Sequence, residues 1–273
     1  MRAKFKVLRF SGGAICLFIV CIAFQARVGG AADYLVDSSY AGVDGAAFGS
    51  YAGAYKTVAA ALGSGGVPSG ASSSNINRIY FASGTYNTAN VTGVSLVCNA
   101  SNVALLGISG NADDVVVTST LDAAYNPGSG AFGTSGSSSL QIRGNNVSAK
   151  NITFANSVDT PYIVNVTHQA VSPQGNYSTG QSQTSNSQCV ALKVQGDQNA
   201  FQNCKFLGYQ DTLYVDSGRS YFKNCTVSGD IDFIFSKGTA VLTTRRSIWT
   251  ATTVAAQSPQ RQPTSERRTA WCS

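Results

Sequence analysis

Asn203-Cys204-Lys205-Phe206-Leu207-Gly208-Tyr209-Gln210-Asp211-Thr212-Leu213-Tyr214 and Asn224-Cys225-Thr226-Val227-Ser228-Gly229-Asp230-Ile231-Asp232-Phe233-Ile234-Phe235 are one pattern written twice, 21 residues apart. In each, an asparagine opens a short β-rich run, a glycine follows, and an aspartate stands among apolar and aromatic neighbours. The same opening recurs at Asn102-Val103-Ala104-Leu105 and Asn151-Ile152-Thr153-Phe154. Short strands with polar corners at such a period are what a parallel β-helix needs. No coil buries its apolar face alone, so coils stack at the strand spacing of ~4.8 Å. Asp211 and Asp232 then lie one above the other, and two stacked carboxylates in an apolar cleft cannot both ionise freely. One is held protonated as an acid, a division of roles that suits hydrolysis. Cys204 and Cys225 fall on neighbouring rungs, either close enough for a disulfide or as a packed cysteine ladder.

Outward from this passage, Tyr55 to Leu62 has helical spacing and is expected to cap the N-terminal end of the stack. Residues 155–187 are rich in Ser, Gln, Asn and Thr, with Pro161 and Pro173, and read as a long excursion forming one wall of a cleft. With 273 residues and only 12% of them charged, the chain suits one turn-rich all-β domain. The net charge of +6 belongs to the two ends. Residues 32–244 carry nine Lys and Arg against twelve Asp, so no nucleic-acid partner is expected.

Arg2, Lys4, Lys6 and Arg9 precede an apolar stretch from Ala14 to Phe24, followed by Gly29-Gly30-Ala31-Ala32. That order predicts a secretory signal over residues 1–31 and a secreted, extracellular protein with no membrane attachment after cleavage. Sequons at Asn90, Asn99, Asn146, Asn151, Asn165, Asn176 and Asn224 agree with a glycoprotein, although an Asn- and Ser-rich β protein also generates them by chance. There is no CxxC, so no zinc site is expected, and the one histidine, His168, leaves a Ser-His-Asp triad little to stand on.

Together, Gln188-Cys189-Val190-Ala191-Leu192, Gly196-Asp197, Ala200-Phe201, Gly208 to Tyr214 and Gly229 to Phe235 resemble the pectin methylesterase (pectinesterase) family. Gly133-Thr134-Ser135-Gly136-Ser137-Ser138 is similar to an earlier substrate-side loop of that family. The resemblance implies a right-handed parallel β-helix and hydrolysis of C6 methyl esters of pectin, in cell wall modification or pectin breakdown. It makes Asp232 the nucleophile and Asp211, protonated beside a second carboxylate, the general acid. Gln188 and Gln210 become oxyanion donors, and Thr134, Tyr214 and Phe235 substrate contacts. The alternatives are turn carboxylates for the aspartates, an amide ladder for the glutamines, core packing for Tyr214 and Phe235, and a packing role for Cys189. No metal or cofactor is implied, and the partner is methyl-esterified pectin bound by a monomer.

The family pattern also includes an arginine in a Leu-Gly-Arg-Pro-Trp-like segment well beyond the nucleophile. No such segment appears here, and Ser236 replaces a glycine that commonly follows the Asp-Phe-Ile-Phe run. After Gly238 no glycine occurs, and all 28 of the chain's glycines lie at or before that residue. The expectation is a β-helix over residues 32–242 that is C-terminally truncated, followed over 243–273 by an aberrant basic tail, either from a shifted reading frame or wrong exon join or as the genuine end of a truncated product. The alternative function is then a catalytically inactive, pectin-binding homologue.

Overall fold

The computed structural model describes residues 30–88, 95–123, 132–157, 188–229 and 232–243, together with the backbone of strands at 246–249 and 269–272. All but the last two residues of the expected signal, together with His168, nearly all of the excursion and the sequons at Asn90, Asn165 and Asn176, lie outside the described residues. No helix among the described residues is long and apolar enough to cross a membrane.

Three sheets run along the molecule, parallel except for one strand, and each complete coil donates one strand to each. In one coil Asn199–Gln202 enters the nine-stranded sheet, Lys205–Leu207 the six-stranded sheet and Leu213–Val215 the five-stranded sheet. The next coil repeats this with Arg219–Lys223, Thr226–Gly229 and Ile234–Ser236. This is the expected right-handed parallel β-helix.

The corners explain the asparagines. Asn151, Asn203 and Asn224 turn the chain from the nine- to the six-stranded sheet with φ of 58°, 52° and 52°. Asn102, Asn146 and Gln198, at φ 55°, 52° and 59°, turn it back into the nine-stranded sheet. This left-handed region is costly for most L-residues and mildest for Asn and Asp, whose short polar side chains bond locally. Asn146 Nδ2 donates to Asn102 Oδ1 at 3.0 Å and Asn203 Nδ2 to Asn151 Oδ1 at 3.4 Å, so the corners stack as amide ladders. The Asn146, Asn151 and Asn224 sequons thus arise from corner geometry.

Inside, side chains at one register position form columns. Phe154 and Phe206 stack at 5.8 Å, and Phe201 and Phe222 at 4.8 Å, with edge contacts between the pairs. Leu140, Leu192 and Leu213, all fully buried, line the five-stranded sheet. Cys204 and Cys225 are buried free thiols, so the cysteine ladder, and not a disulfide, is what the structure contains.

At the N-terminal end the helix spans Val58–Leu62, shorter than expected, because Thr57 caps it by accepting from the Ala60 N–H and Tyr55 belongs to the strand Gly53–Tyr55. Val58, Ala61 and Leu62 close the core. At the other end the stack continues past Leu242. Arg246–Trp249 pairs in parallel with Thr226–Gly229, and Thr269–Cys272 pairs antiparallel with Thr239–Thr243. The tail, expected to be aberrant, therefore adds two strands, and the second pairs along the edge of Thr239–Thr243.

Candidate active site

The third corner, from the six- to the five-stranded sheet, carries the two acids. Asp211 and Asp232 are its left-handed residues, at φ 62° and 46°. Leu213 pairs with Ile234, so the aspartates two positions earlier occupy the same place on successive rungs. The corner is tightly nested. Thr212, fully buried, donates from Oγ1 to the Ser228 carbonyl at 3.2 Å, and the Leu213 N–H donates to the Phe233 carbonyl at 2.9 Å. A Cβ on Gly229 would stand 2.5 Å from Thr212 Oγ1, which leaves glycine as the residue that fits.

The two carboxyls sit in different surroundings. Asp211 is 7% exposed, while Asp232 is exposed to solvent. Burial, and secondarily the charge of Asp232, pushes Asp211 up to about 6. The sequence reading made the neighbouring carboxylate the cause; the structure makes desolvation the larger one. The arrangement offers one carboxyl able to hold a proton near neutral pH and a second facing solvent one rung away.

The rung beneath is a platform. The Cys189 N–H donates to the Gln210 carbonyl at 3.0 Å and the Ala191 N–H to that of Thr212 at 2.9 Å. Cys189 therefore underlies Gln210, and Gln188 is one position out of register with it, which argues against an amide ladder. Cys189 is fully buried, its thiol pushed up to about 11 by burial, as a packing residue would be. Buried Asn156 donates to the carbonyls of Leu121, Ser137 and Val190 at 2.8, 2.9 and 3.3 Å, fixing the segment below Asp211.

On the outer face of the five-stranded sheet, Gln141, Lys193, Tyr214 and Phe235 occupy one register row. Tyr214 and Phe235 stack at 4.1 Å with planes 19° apart, Tyr214 buried and Phe235 half-buried, both outside the main core cluster. Thr134 lies in the single helical turn Gly133–Gly136, which reaches this row through Ser135. The structure thus gathers Asp211, Asp232, Gln210 and Gln188 at one corner, with Tyr214, Phe235 and the Thr134 turn alongside. Lys193, Asp216 and Asn156 were missed. The usable signal was Lys193, a cation inside the apolar run Val190 to Val194. Among the residues whose side chains are described, Arg78 pairs with Asp33, Arg219 with Asp197, and Arg143 donates to Gln195 and to Gln141 of this same row. No three His, Cys, Asp or Glu side chains among the described residues gather as a metal site.

Residues 178–268 match the family model described as Pectinesterase. Over these residues the chain resembles the pectinesterase family. Pectinesterase 31 of Arabidopsis thaliana is 39% identical over 110 residues, which are 40% of this chain and 27% of that protein. Among solved structures, pectin methylesterase PemA from Erwinia chrysanthemi superposes with a TM-score of 0.57 at 30% identity, covering 77% of this chain and 53% of that one. The carrot pectin methylesterase gives 0.51 at 25% identity, covering 82% and 53%. The chain thus spans about half the length of these solved pectinesterases. The family match runs through residue 268, into the segment whose composition departs from the rest.

Proposed function

We propose that this protein is a secreted carbohydrate esterase of the pectinesterase family that hydrolyses C6 methyl esters of pectin to carboxylates and methanol. The observation that carries the reading is the pair of stacked corner aspartates in unlike surroundings, Asp211 buried and raised to about 6, Asp232 open to solvent. Asp232 attacks the ester carbonyl carbon, and the carbonyl oxygen takes the negative charge of the tetrahedral intermediate. Amide N–H groups of Gln188 and Gln210 stabilise that oxyanion, each such donor being worth roughly 3 kcal/mol of barrier. The intermediate collapses as the C–O bond to the methoxy group breaks, and Asp211 protonates the departing oxygen to give methanol. Water then attacks the acyl-enzyme anhydride, Asp211 takes its proton back, and the galacturonate carboxylate leaves Asp232. Thr134, Tyr214 and Phe235 flank the sugar chain.

The second reading is a protein that binds pectin without turning it over. Methanol release from methyl-esterified pectin by the full chain separates the two. The esterase reading expects release that Asp232→Asn lowers by roughly a thousandfold or more while pectin binding persists. Binding by the unsubstituted chain without release would establish the second reading, and release that survives Asp232→Asn would remove Asp232 as nucleophile.

A further inference from the structure

The buried cation beside the aspartate corner has no part in the chemistry above. Lys193 projects from the outer row of the five-stranded sheet and is 5% exposed, unusual for a lysine. Its Nζ donates to Ser135 Oγ at 2.8 Å, pairs with Asp216 Oδ2 at 3.1 Å and lies 5.0 Å from the centre of the Tyr214 ring. The Tyr214 hydroxyl in turn donates to the other oxygen of Asp216 at 2.6 Å. Ring, carboxylate and ammonium form a closed triangle; exposed Lys237 approaches the Tyr214 hydroxyl and lies 3.8 Å from Asp216 Oδ1, and the ring stacks on Phe235. The Ser135 bond extends the triangle to the turn that carries Thr134.

We infer that Lys193 is a positioning residue that ties the Thr134 turn to the Tyr214–Phe235 stack and so sets the shape of the polysaccharide-binding wall. The inference rests on the esterase reading for what the wall binds, not for the tie itself. A charge satisfied on three sides is not free to meet the substrate directly. Its effect passes through Tyr214, whose ring plane is fixed by a cation against the aromatic system and by a hydrogen bond at its hydroxyl. A wall contacting the sugar chain away from the reacting bond contributes equally to ground state and transition state, so its loss appears in KM and not in kcat.

The test compares the full chain with Lys193→Met, Lys193→Arg and Ser135→Ala. Methanol release gives KM and kcat on a methyl-esterified oligogalacturonide. The 13Cζ NMR signal of Tyr214, assigned by its loss in Tyr214→Phe, reports the ring directly. Lys193→Met should move or broaden that signal and raise KM about tenfold with kcat within about twofold, and Lys193→Arg should recover most of the loss. Ser135→Ala keeps the buried charge paired and should give a smaller KM rise of the same kind, which carries the test if Lys193→Met does not fold. An unmoved Tyr214 signal with unchanged KM, or a fall in kcat alone, would overturn the inference. If the unsubstituted chain releases no methanol, the esterase reading fails, and the Tyr214 signal alone then decides whether the tie exists.

Discussion

Asp211→Asn should stabilise the protein at pH 8 and do little at pH 4. In the folded chain the carboxyl is raised from 3.8 to about 6, so between those values the native state holds a proton that the unfolded state has released. Stability therefore falls as pH rises through that window, and the cost is complete above about 6. A displacement of that size corresponds to about 3 kcal/mol at 1.36 kcal/mol per unit, of which about 2 kcal/mol should develop between pH 4 and pH 8. Asparagine is nearly isosteric and carries no charge to desolvate. It also accepts the left-handed backbone, as Asn102, Asn146 and Asn203 do at φ 55°, 52° and 52°. The substitution thus isolates the ionisation from backbone strain. Urea unfolding of both proteins at the two pH values gives the difference directly. Asp232→Asn should remove only the smaller, electrostatic share of the pH dependence, because burial is the larger cause. A difference between Asp211→Asn and the unsubstituted chain that is the same at pH 4 and pH 8 would refute the reasoning.

Two further outcomes test the stack itself by the same unfolding measurement. Phe206→Ala should cost about 3–5 kcal/mol, since this fully buried ring touches Phe154, Phe201 and Phe222, while Phe206→Leu should cost clearly less. Asn203→Ala should cost about 1–2 kcal/mol by forcing a Cβ-bearing residue without a local hydrogen bond into the left-handed corner, and Asn203→Gly should recover part of that loss.

The fold was legible because the last coils repeat without interruption. Tyr214 lies 21 residues after Lys193, and Phe235 21 after Tyr214, so asparagine, phenylalanine and aspartate recur in phase. Earlier coils conceal the same geometry. From Val97 to Gln141 the step is 44 residues, and from Gln141 to Lys193 it is 52. The acids could be paired from sequence because they sit on the two regular coils. The Ser135–Lys193 bond joins residues 58 apart across an irregular coil, and no period announces it. Asp211's burial was equally hidden, because it comes from a corner packed beneath the next one and not from its own neighbours in sequence.

The irregular steps share one location. Between the six- and five-stranded sheets the linking segments are residues 88–95, 120–139 and 157–191 in the early coils, then only 208–212 and 230–233. The largest changes in length are inserted at the aspartate corner, whereas the other two corners stay at two to four residues except for residues 108–114. Length added there leaves the rungs on either side in phase, since the strands that bracket it remain paired with their neighbours above and below. The scaffold thus separates a conserved-phase column from a margin open to lengthening. A protein built this way can exchange whole segments beside its two corner aspartates without renegotiating the stack that holds them in line.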